Sequence, residues 1–506
     1  MPDLPPKLDP RDHSPIRCAV IGGGISGLAA AFRLIELATA ENQPIHVTVF
    51  EAADRSGGVF GTERIGEYLV ERGADSFITS KPAGLKLCRR LGLEDRLIPT
   101  DSRFRSSLIL SHGKPVPTPE GFQLVAAGNL KALLKSPLIS WSGKLRVLAE
   151  SLIPARRDRQ DESVASFVRR RMGQEALDAI IQPLVGGIYT SDPEKLSAQA
   201  TLQRFLKMEQ DCGSLYRGMR PRSTPRSDSD SASGARYGLF VSFVDGMQEL
   251  LSALQRQIQT SGEIRFSTRV DSLQQTDSGW ELKTGTKREQ FDGVVLALPP
   301  RSTSFLLSPL HRECAERIGQ IESASSAIVL TGHPLSQIEH PMDSFGLVIP
   351  HREKRQILAT SFLSRKFPGR APDGKICLRT FVGGAMQPEA LDRTDGEMIE
   401  TVLKELRSIF GVTGAPDFAV VARYPQAMPQ FTVGHLERVQ EIRRLAGSLN
   451  RLTLAGNFFD GVGVPDCIQS GETAAEQVWQ QLNSPAADFP SSGSSFEESP
   501  RTSRGA

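Results

Sequence analysis

Three glycines near the N-terminus have the spacing of a phosphate-binding loop. In the stretch CAVIGGGISGLAAAF they form a G-x-G-x-x-G pattern that follows a short apolar strand and begins a helix. The first glycine permits a tight turn, the second lets the backbone approach a pyrophosphate, and the third lets helix and strand pack closely. Backbone N–H groups at the helix start then attract phosphate. The pattern predicts a dinucleotide site at Gly22, Gly23, Gly24, Ile25, Ser26 and Gly27.

An acidic residue follows at the end of the next strand. Glu51 comes after Gly27 at close to the roughly 20-residue spacing at which a carboxylate accepts hydrogen bonds from ribose hydroxyls. An acid at this position disfavours a 2′-phosphate, so NADP is not expected. A glycine turn without a ligand is the alternative, but the order of strand, turn, helix, strand and acid argues against it.

Two further segments resemble those of the FAD-binding amine-oxidase-like flavoproteins. The stretch EAADRSGGVFGT continues from the acid, and ERGADSF follows at residues 71–77. The resemblance implies that FAD rather than NAD is bound. The positions that it implies are Ala52, Arg55, Gly58 and Val59 in the first segment, Gly73, Ala74, Asp75 and Ser76 in the second, and Val270 further along. A plain surface turn and a solvated loop are the alternatives for the two segments.

A second glycine-rich loop lies near the C-terminus, in LAGNFFDGVGVPDCIQSG at residues 454–471. It lacks the following strand and acid of a β-α-β unit, so we interpret it as the last strand and helix of the first domain. Asn457, Val462, Gly463 and Val464 are then expected beside the flavin ring. Asp466 is expected to cap the helix, whose N-terminus would face the ring edge that gains negative charge on reduction.

Three segments in the middle of the chain point to a family. They are DESVASFVRRRMGQEALDAIIQPLVGGIYTSDPEKLSA (161–198), FGLVIPHREKRQILATSFLSRKFPGRAPDGKICLRTFVGG (345–384) and MPQFTVGHLERV (428–439). All three closely resemble the oxygen-dependent porphyrinogen oxidases, FAD enzymes that oxidise protoporphyrinogen IX or coproporphyrinogen III. The resemblance runs from about residue 17 to 480. It implies a tetrapyrrole substrate, dioxygen as the acceptor, hydrogen peroxide as a product and a place in haem synthesis.

The same resemblance implies substrate contacts. Leu184 and Gly187 would line the macrocycle pocket, and Phe381 would stack on a pyrrole ring. Val348 and Ser361 lie where the family has aliphatic residues around the substrate, and the serine departs from that pattern. Core packing is an equally good interpretation of the leucine, valine and phenylalanine. No catalytic side chain is assigned, because flavin N5 would accept the hydride and no acid–base pair is evident.

The propionate arms of such a substrate need a cation. In plant-type members an arginine at the start of a strand pairs with a propionate, but the corresponding residue here is Ser107. Arg103 and Arg105 precede it, and either could form a charge-assisted bond to a propionate. Solvated surface arginines are the alternative. The choice between a substrate with two propionates and one with four therefore stays open.

The segments require an α/β plus α+β fold, with a discontinuous Rossmann-like FAD-binding domain interrupted by a substrate-binding domain containing a mixed sheet and by a helical domain. We assign residues 17–100, 236–300 and 445–482 to the first, 101–127 and 301–444 to the second, and 128–216 to the third. Strand-like segments predict a second sheet at Ala327–Thr331, Gly346–Ile349, Ile357–Ser361 and Cys377–Val382. The Ser/Pro-rich insert 217–235 and the tails 1–15 and 483–506 are predicted to be disordered.

The charge and the cysteine spacing of the chain argue against some classes of binding partner. A net charge of +2 and no Lys/Arg run argue against nucleic acid. The six cysteines (18, 88, 212, 314, 377, 467) lack metal-ligand spacing, which predicts reduced thiols in the cytoplasm and no metal site. Membrane contact is a separate question. No apolar run reaches the roughly 18–20 residues that span a bilayer. Apolar helices beside arginines could still rest peripherally on the inner face of the cytoplasmic membrane, although an ordinary helical lid is the alternative. Transfer of product to the next haem-pathway enzyme is a further expectation.

Two other functions remain open. The flavin motifs alone would equally suit another FAD enzyme of this fold, such as a carotenoid desaturase or an amine oxidase, which the three middle segments argue against. A non-catalytic binding protein on the same scaffold, like the Rab GDP-dissociation inhibitors, would lack the complete flavin site that Gly22, Gly24, Gly27 and Glu51 form.

Overall fold

The computed structural model describes residues 14–219 and 239–484. Its strands are β1 (Ile16–Ile21), β2 (Ile45–Phe50), β3 (Thr62–Ile65), β4 (Tyr68–Glu71), β5 (Phe77–Ile78), β6 (Leu97–Pro99), β7 (Leu108–Ser111), β8 (Lys114–Pro117), β9 (Phe122–Gln123), β10 (Ala126–Ala127), β11 (Phe240–Phe243), β12 (Gly262–Arg265), β13 (Ser272–Thr276), β14 (Gly279–Thr284), β15 (Lys287–Phe291), β16 (Gly293–Leu296), β17 (Ser323–Pro334), β18 (Gly346–Val348), β19 (Ala359–Phe362), β20 (Lys375–Gly383), β21 (Phe418–Pro429) and β22 (Leu452–Leu454).

The helices are α1 (Ile25–Ala40), α2 (Pro82–Arg90), α3 (Leu130–Lys135), α4 (Trp141–Leu148), α5 (Val164–Met172), α6 (Gln174–Ala176), α7 (Gln182–Tyr189), α8 (Ala198–Thr201), α9 (Gln203–Cys212), α10 (Leu215–Met219), α11 (Gln248–Ile258), α12 (Pro300–Leu307), α13 (Arg312–Gly319), α14 (Leu363–Lys366), α15 (Asp395–Phe410), α16 (His435–Ala446) and α17 (Val464–Asn483). A π-helical turn, Leu177–Ile181, joins α6 to α7.

Five parallel strands position the first glycine loop. Their order is β12-β2-β1-β16-β22, so strands from both ends of the chain pair within one sheet. Helices α1, α11 and α17 pack on one face. The antiparallel sheet β13-β14-β15 and helices α13 and α16 pack on the other. Because all five strands run in the same direction, their carboxyl ends meet at one edge, where open α/β sheets bind ligands.

Helices α1 and α17 pack together closely enough to fix one residue type. A Cβ added at Gly471 of α17 would lie 2.0 Å from the carbonyl oxygen of Ser26 in α1. Further along the same contact, the guanidinium of Arg33 donates to the carboxylate of Glu476 at 2.9 Å. The first and last long helices of the described chain are therefore held side by side, with their N-termini at the same edge of the sheet.

A second, seven-stranded sheet has the order β21-β17-β20-β19-β18-β7-β8. It is mixed, because β7 and β18 pair in parallel and the other neighbours are antiparallel. Helix α15 covers one face with Met398, Val402 and Leu406, and the reciprocal bonds of Thr394 and Glu397 form a capping box at its start. The four strands predicted for this sheet are confirmed as β17, β18, β19 and β20.

Helices α3 to α9 surround a separate apolar core that includes Phe167, Ile180 and Val185. A buried charge holds this helical unit together. Arg171 is fully buried, pairs with the carboxylate of Glu150, and donates to the carbonyl oxygens of Ile153 at 2.8 Å and Gly213 at 3.0 Å. Removing one partner of such a network would leave an uncompensated buried charge.

The parallel and mixed sheets confirm the predicted fold class. The domain boundaries stay a prediction. Of the insert predicted to be disordered, residues 217–219 are the end of α10, and residues 220–235 lie outside the described residues. Of the two tails, residues 1–13 and 485–506 lie outside them, while Asn483 is the last residue of α17.

Gly471→Ala should destabilise the fold, because the new Cβ would overlap the carbonyl oxygen of Ser26 and force α1 and α17 apart. We expect a loss of about 1–3 kcal/mol in the free energy of unfolding, typical of overpacking. Gly396→Ala, in α15, is the matched control, because a Cβ there meets open space. Urea unfolding followed by circular dichroism measures both, and equal stability of the two variants would contradict the packing account.

Candidate functional site

In the first glycine loop, close packing requires glycine at two positions but not at a third. Gly22 has φ +110°, and a Cβ there would lie 2.3 Å from the carbonyl oxygen of Ala297. A Cβ at Gly27 would lie 1.9 Å from the carbonyl oxygen of Gly22. Gly24 differs, since a Cβ there would have no described atom within 4 Å. The space in front of Gly24 is therefore available to a ligand.

Gly24 is also the N-cap of α1, and no side chain of the described residues caps that helix. The N–H groups of the first turn have no partner within the helix itself. Together with the helix dipole they form a site for an anion. A diphosphate in front of Gly24 would satisfy these donors.

Glu51 is held at the carboxyl end of β2. Its carboxylate accepts the backbone N–H of Gly23 at 2.7 Å and that of Ala53 at 2.8 Å. A carboxylate has further lone pairs, so it can also accept hydrogen bonds from hydroxyl groups. The backbone of Glu51 accepts the N–H of Thr268 at 2.8 Å, which brings the segment before Val270 to this strand end. Val270 itself is buried in the adjacent core.

The second glycine segment lies against the first. The N–H of Gly57 donates to the carbonyl oxygen of Gly23 at 2.7 Å, and a Cβ at Gly58 would lie 3.7 Å from the Cα of Gly24. The guanidinium of Arg55 donates to the carbonyl oxygens of Phe60 at 2.7 Å and Gly58 at 3.0 Å. Arg55 thus stabilises its own loop. The neighbouring Ala52 and Val59 are exposed.

The segment at residues 73–76 is held by close packing at Gly73 and by ion pairs at Asp75. A Cβ at Gly73 would lie 1.6 Å from the carbonyl oxygen of Val59, so only glycine fits there. The carboxylate of Asp75 pairs with Arg379 at 2.8 Å and with Lys366 at 3.1 Å. The other two predicted residues lie within this arrangement: Ala74 packs on the core beneath the parallel sheet, and Ser76 donates to Asp75 at 2.7 Å.

The C-terminal loop begins α17 in the same way that the N-terminal loop begins α1. Gly463 is the N-cap, and no described side chain caps the helix. The prediction that Asp466 caps it is wrong. The helix begins at Val464, so Asp466 lies inside its first turn, where it accepts from the ammonium of Lys81 at 2.6 and 2.7 Å. Of the other predicted residues, Asn457 donates to the carbonyl oxygen of Ala427 at 3.2 Å, while Val462 is half-buried.

Three predicted substrate residues, Val348, Ser361 and Phe381, share one face of the seven-stranded sheet. Val348 lies opposite Ala359, and Ala359 lies opposite Phe381, so Val348, Ala359 and Phe381 form one row across β18, β19 and β20. Ser361 and Arg379 are opposite each other in the neighbouring row. Side chains alternate between faces along a strand, so both rows point to the side away from α15.

Helix α7 meets this face. A Cβ at Gly187 would lie 3.4 Å from Cγ1 of Val348. Leu184 packs on the same apolar cluster as Val348 and as Val462 of the C-terminal loop. The structure therefore brings Gly187 and Val348 together, and it places Leu184 and Val462 of the predicted flavin loop at the edge of the same apolar cluster.

A cavity of about 530 Å³ opens beside the start of β17, the end of β20 and the C-terminal half of β21, and one of its lining residues, Gly384, lies three residues beyond Phe381. Its volume lies in the range of small-molecule sites. The residues that line it include Ser191, Lys195, Ser326, Gly384, Tyr424 and Phe431.

The two arginines proposed for propionate lie on the surface. Arg103 is exposed, pairs with Asp101 at 2.6 Å, and lies over the ring of Phe104 at 5.3 Å. Arg105 is exposed as well. This placement is compatible with solvated surface arginines, the alternative to propionate binding.

A histidine that no sequence pattern indicates lies where the helical unit, the segment 428–439 and the C-terminal loop meet. The imidazole of His435 is buried, stacks on Phe431 at 4.0 Å, and has Nε2 3.0 Å from the carbonyl oxygen of Phe459 in the C-terminal loop. The N–H of Gly434 donates to Asp161 of the helical unit at 2.9 Å. The segment MPQFTVGHLERV was quoted only for its resemblance, and nothing in its spacing reveals these distant partners.

Glu71, at the end of β4, is buried close to the clamped segment. It accepts the hydroxyl of Thr62 at 2.7 Å and the N–H of Met247 at 2.8 Å. Burial raises the pKa of Glu71 to about 7, and its hydrogen bonds and the charges of Arg370 and Arg379 oppose that rise. The carboxyl group therefore gains a proton in the folded protein at a higher pH than in the unfolded chain.

Comparison with known proteins gives a consistent result. Residues 25–479 match the model of the family described as flavin containing amine oxidoreductase. The chain is 32% identical over 466 residues to a coproporphyrinogen III oxidase of Bacillus subtilis (strain 168), covering 92% of this chain and 98% of that protein. It is 31% identical over 487 residues to the chloroplastic protoporphyrinogen oxidase of Nicotiana tabacum, covering 91% and 85%.

A solved structure is similar as well. A crystal structure from Exiguobacterium sp. 255-15, provisionally named a protoporphyrinogen oxidase, superposes with a TM-score of 0.82 at 29% identity. The similarity covers 93% of this chain and all of that chain.

Glu71→Gln should stabilise the protein at pH 8 but not at pH 5. The folded pKa of Glu71 is raised, so its contribution to stability is present at low pH and is lost as pH rises toward about 7. We expect the variant to gain roughly 2–3 kcal/mol at pH 8 relative to pH 5. Urea unfolding at the two pH values measures this, and a gain that does not change with pH would contradict the burial of an ionising carboxyl group.

Proposed function

The chain belongs to the flavin containing amine oxidoreductase family, and on that premise we propose that it is an FAD-dependent oxidase that converts a porphyrinogen to a porphyrin in haem synthesis. The substrate would be coproporphyrinogen III or protoporphyrinogen IX, the compounds in the names of its relatives. One observation carries the proposal. The apolar row Val348, Ala359 and Phe381 faces away from α15, α7 brings Gly187 against Val348, and Leu184 packs on the same apolar cluster as Val462 of the C-terminal loop.

The residues present fit FAD. Gly58 lies close to Gly24, the space in front of Gly24 could hold a pyrophosphate, and the start of α1, which no described side chain caps, supplies N–H donors. Glu51 would hold the ribose hydroxyls. The uncapped start of α17 would face the flavin ring, with Val462 and Gly463 beside it.

Bound FAD supplies a hydride acceptor. Phe381 would stack on a pyrrole ring and Val348 would press on the macrocycle, so that a flexible substrate is held in one orientation. The apolar side chains would also keep water away during hydride transfer. Because the product becomes aromatic, orientation is the main contribution asked of the protein, and no side chain is assigned as an acid or a base.

Dioxygen is the proposed electron acceptor. Each two-electron step removes a hydride and a proton from the substrate, and dioxygen would take both electrons and two protons to give hydrogen peroxide. Three such steps convert a porphyrinogen to a porphyrin.

A peripheral membrane contact is also proposed. Within residues 14–219 and 239–484, no helix is long and apolar enough to cross a bilayer. On the helical unit, however, Trp141 and Leu145 are 70% and 65% exposed on successive turns of α4, and Leu152 is 81% exposed in the 3-10 turn that follows, as expected of a segment that rests on a bilayer. We place the protein in the cytoplasm, at the inner face of the membrane, where it would pass its product to the next enzyme of haem synthesis.

Purified protein should carry yellow flavin absorbance and produce porphyrin fluorescence from coproporphyrinogen III or protoporphyrinogen IX when oxygen is admitted. Initial rates with the two substrates, measured side by side, identify the preferred one. Fluorescence growth should stop without oxygen and should be accompanied by hydrogen peroxide. A flavin-loaded protein that oxidises neither substrate would refute the proposed function.

Phe381→Ala should lower kcat/KM for the preferred porphyrinogen about tenfold to hundredfold, the loss expected for one aromatic stacking contact with its buried area. FAD content should not change. The control is Phe305→Ala on α12, which removes a phenylalanine that is 63% exposed. If Phe381→Ala retains full kcat/KM, the row on the sheet face is not the substrate surface.

A further inference from the structure

Arg379 connects the substrate face to the segment at residues 73–76. It lies on β20, two residues before Phe381 and on the same face, with its guanidinium carbon 5.4 Å from the centre of that ring. Only 4% of its side chain is exposed. The guanidinium pairs with Asp75 at 2.8 Å and donates to the carbonyl oxygen of Gly73.

Lys366 binds the same carboxylate from the other side. Its ammonium lies 3.1 Å from both oxygens of Asp75 and 3.0 Å from the hydroxyl of Ser76. The backbone of Asp75 is also held, since its carbonyl oxygen accepts the hydroxyl of Ser242 at 2.7 Å. Asp75 therefore has two cations at its carboxylate and little freedom to move.

The segment that these residues hold lies between the two uncapped helix starts. Gly73 packs on the carbonyl oxygen of Val59, beside Gly58, which faces Gly24 at the start of α1. On its other side the chain continues to Lys81, which binds Asp466 in the first turn of α17. A cofactor that contacts both helix starts must therefore pass close to residues 73–76.

The charges around this segment do not cancel. Burial would raise the pKa of Asp75, but the charges of Lys366 and Arg379 outweigh it and hold the pKa below its usual value. Asp75 is thus ionised and contributes one negative charge against two positive ones. Arg370 adds a further buried cation, and Glu71 is partly protonated at neutral pH. The Nε of Arg379 is buried and has no hydrogen-bond partner among the described residues.

We propose that Arg379, Lys366 and Asp75 form a positioning cluster that fixes residues 73–76 against the bound flavin and, through its net positive charge, raises the reduction potential of that flavin. A two-electron reduction adds negative charge to the flavin, and a fixed cation in a dry site stabilises it without reorganisation. Arg379 acts through the segment and its charge, so it is a positioning residue. The proposal rests on the FAD site proposed above.

The test is the midpoint potential of the flavin in the FAD-loaded protein, titrated against reference dyes without any porphyrinogen. Arg379→Gln removes a positive charge and should shift the ratio of reduced to oxidised flavin about tenfold toward oxidised, or about 30 mV more negative for a two-electron couple. Asp75→Asn removes the negative charge and should shift the ratio in the opposite direction. Arg379→Lys keeps the charge and should retain most of the potential.

Arg355→Gln is the matched control, because it removes an arginine that pairs with Glu405 at 3.1 Å on α15, on the far side of the same sheet. It should leave the potential unchanged. Shifts of Arg379→Gln and Asp75→Asn in the same direction, or shifts no larger than that of the control, would overturn the proposal and leave a purely structural pair. If Arg379→Gln does not retain FAD, Asp75→Asn and Arg379→Lys decide by the same criterion. The titration needs no substrate, so a failure of the proposed reaction would not affect its outcome.

Discussion

Two helix N-termini without side-chain caps, at the starts of α1 and α17, set the requirement that the rest of the fold meets. No side chain in the described part of the chain satisfies the N–H donors at either start, which leaves them to a ligand or solvent. The contact of Gly471 with Ser26 brings the two helices side by side although they come from opposite ends of the chain. One extended cofactor can then use both starts, with phosphates at the first and an electron-accepting ring at the second. Between the two helices the chain adds β2, β12, β16 and β22 to the parallel sheet and leaves it in the intervening segments.

The inserted parts take their positions from that arrangement. The seven-stranded sheet turns one face to α15 and the other to the cofactor loops. On this second face a row of apolar side chains adjoins a row that contains Arg379, so the surface proposed for the macrocycle and the clamp on residues 73–76 are built on the same strands. Gly434 and His435 add a third connection, because Gly434 binds Asp161 of the helical unit and His435 contacts Phe459 of the C-terminal loop. The proposed substrate face, the helical unit and the loops predicted to hold the cofactor thus share short, buried contacts.

Local sequence patterns predicted part of the fold and part of the candidate site. The glycine loop could be predicted because Gly22 and Gly27 contact backbone that the strand–turn–helix pattern places beside them. Four of the seven strands of the second sheet could be predicted from short β-branched and apolar runs. The predicted N-cap of α17 was wrong for a local reason. The helix begins at Val464, so Asp466 lies inside the first turn, where its carboxylate binds Lys81. Arg379 with Asp75, and His435 with Phe459, pair residues far apart in sequence. No periodicity encodes such contacts, so they could be found only once the strands and loops were placed.

Hydrogen exchange of the backbone amides tests the central claim most directly, by comparing apoprotein with apoprotein reloaded with FAD. If one cofactor spans both helix starts, the free amides at the start of α1, residues 24–27, and at the start of α17, Val464 and Asp466, should exchange more slowly together and with the same dependence on FAD concentration. The first turn of α15, which its own capping box already satisfies, should exchange at an unchanged rate. Protection of α1 alone, with α17 unaffected, would contradict the account.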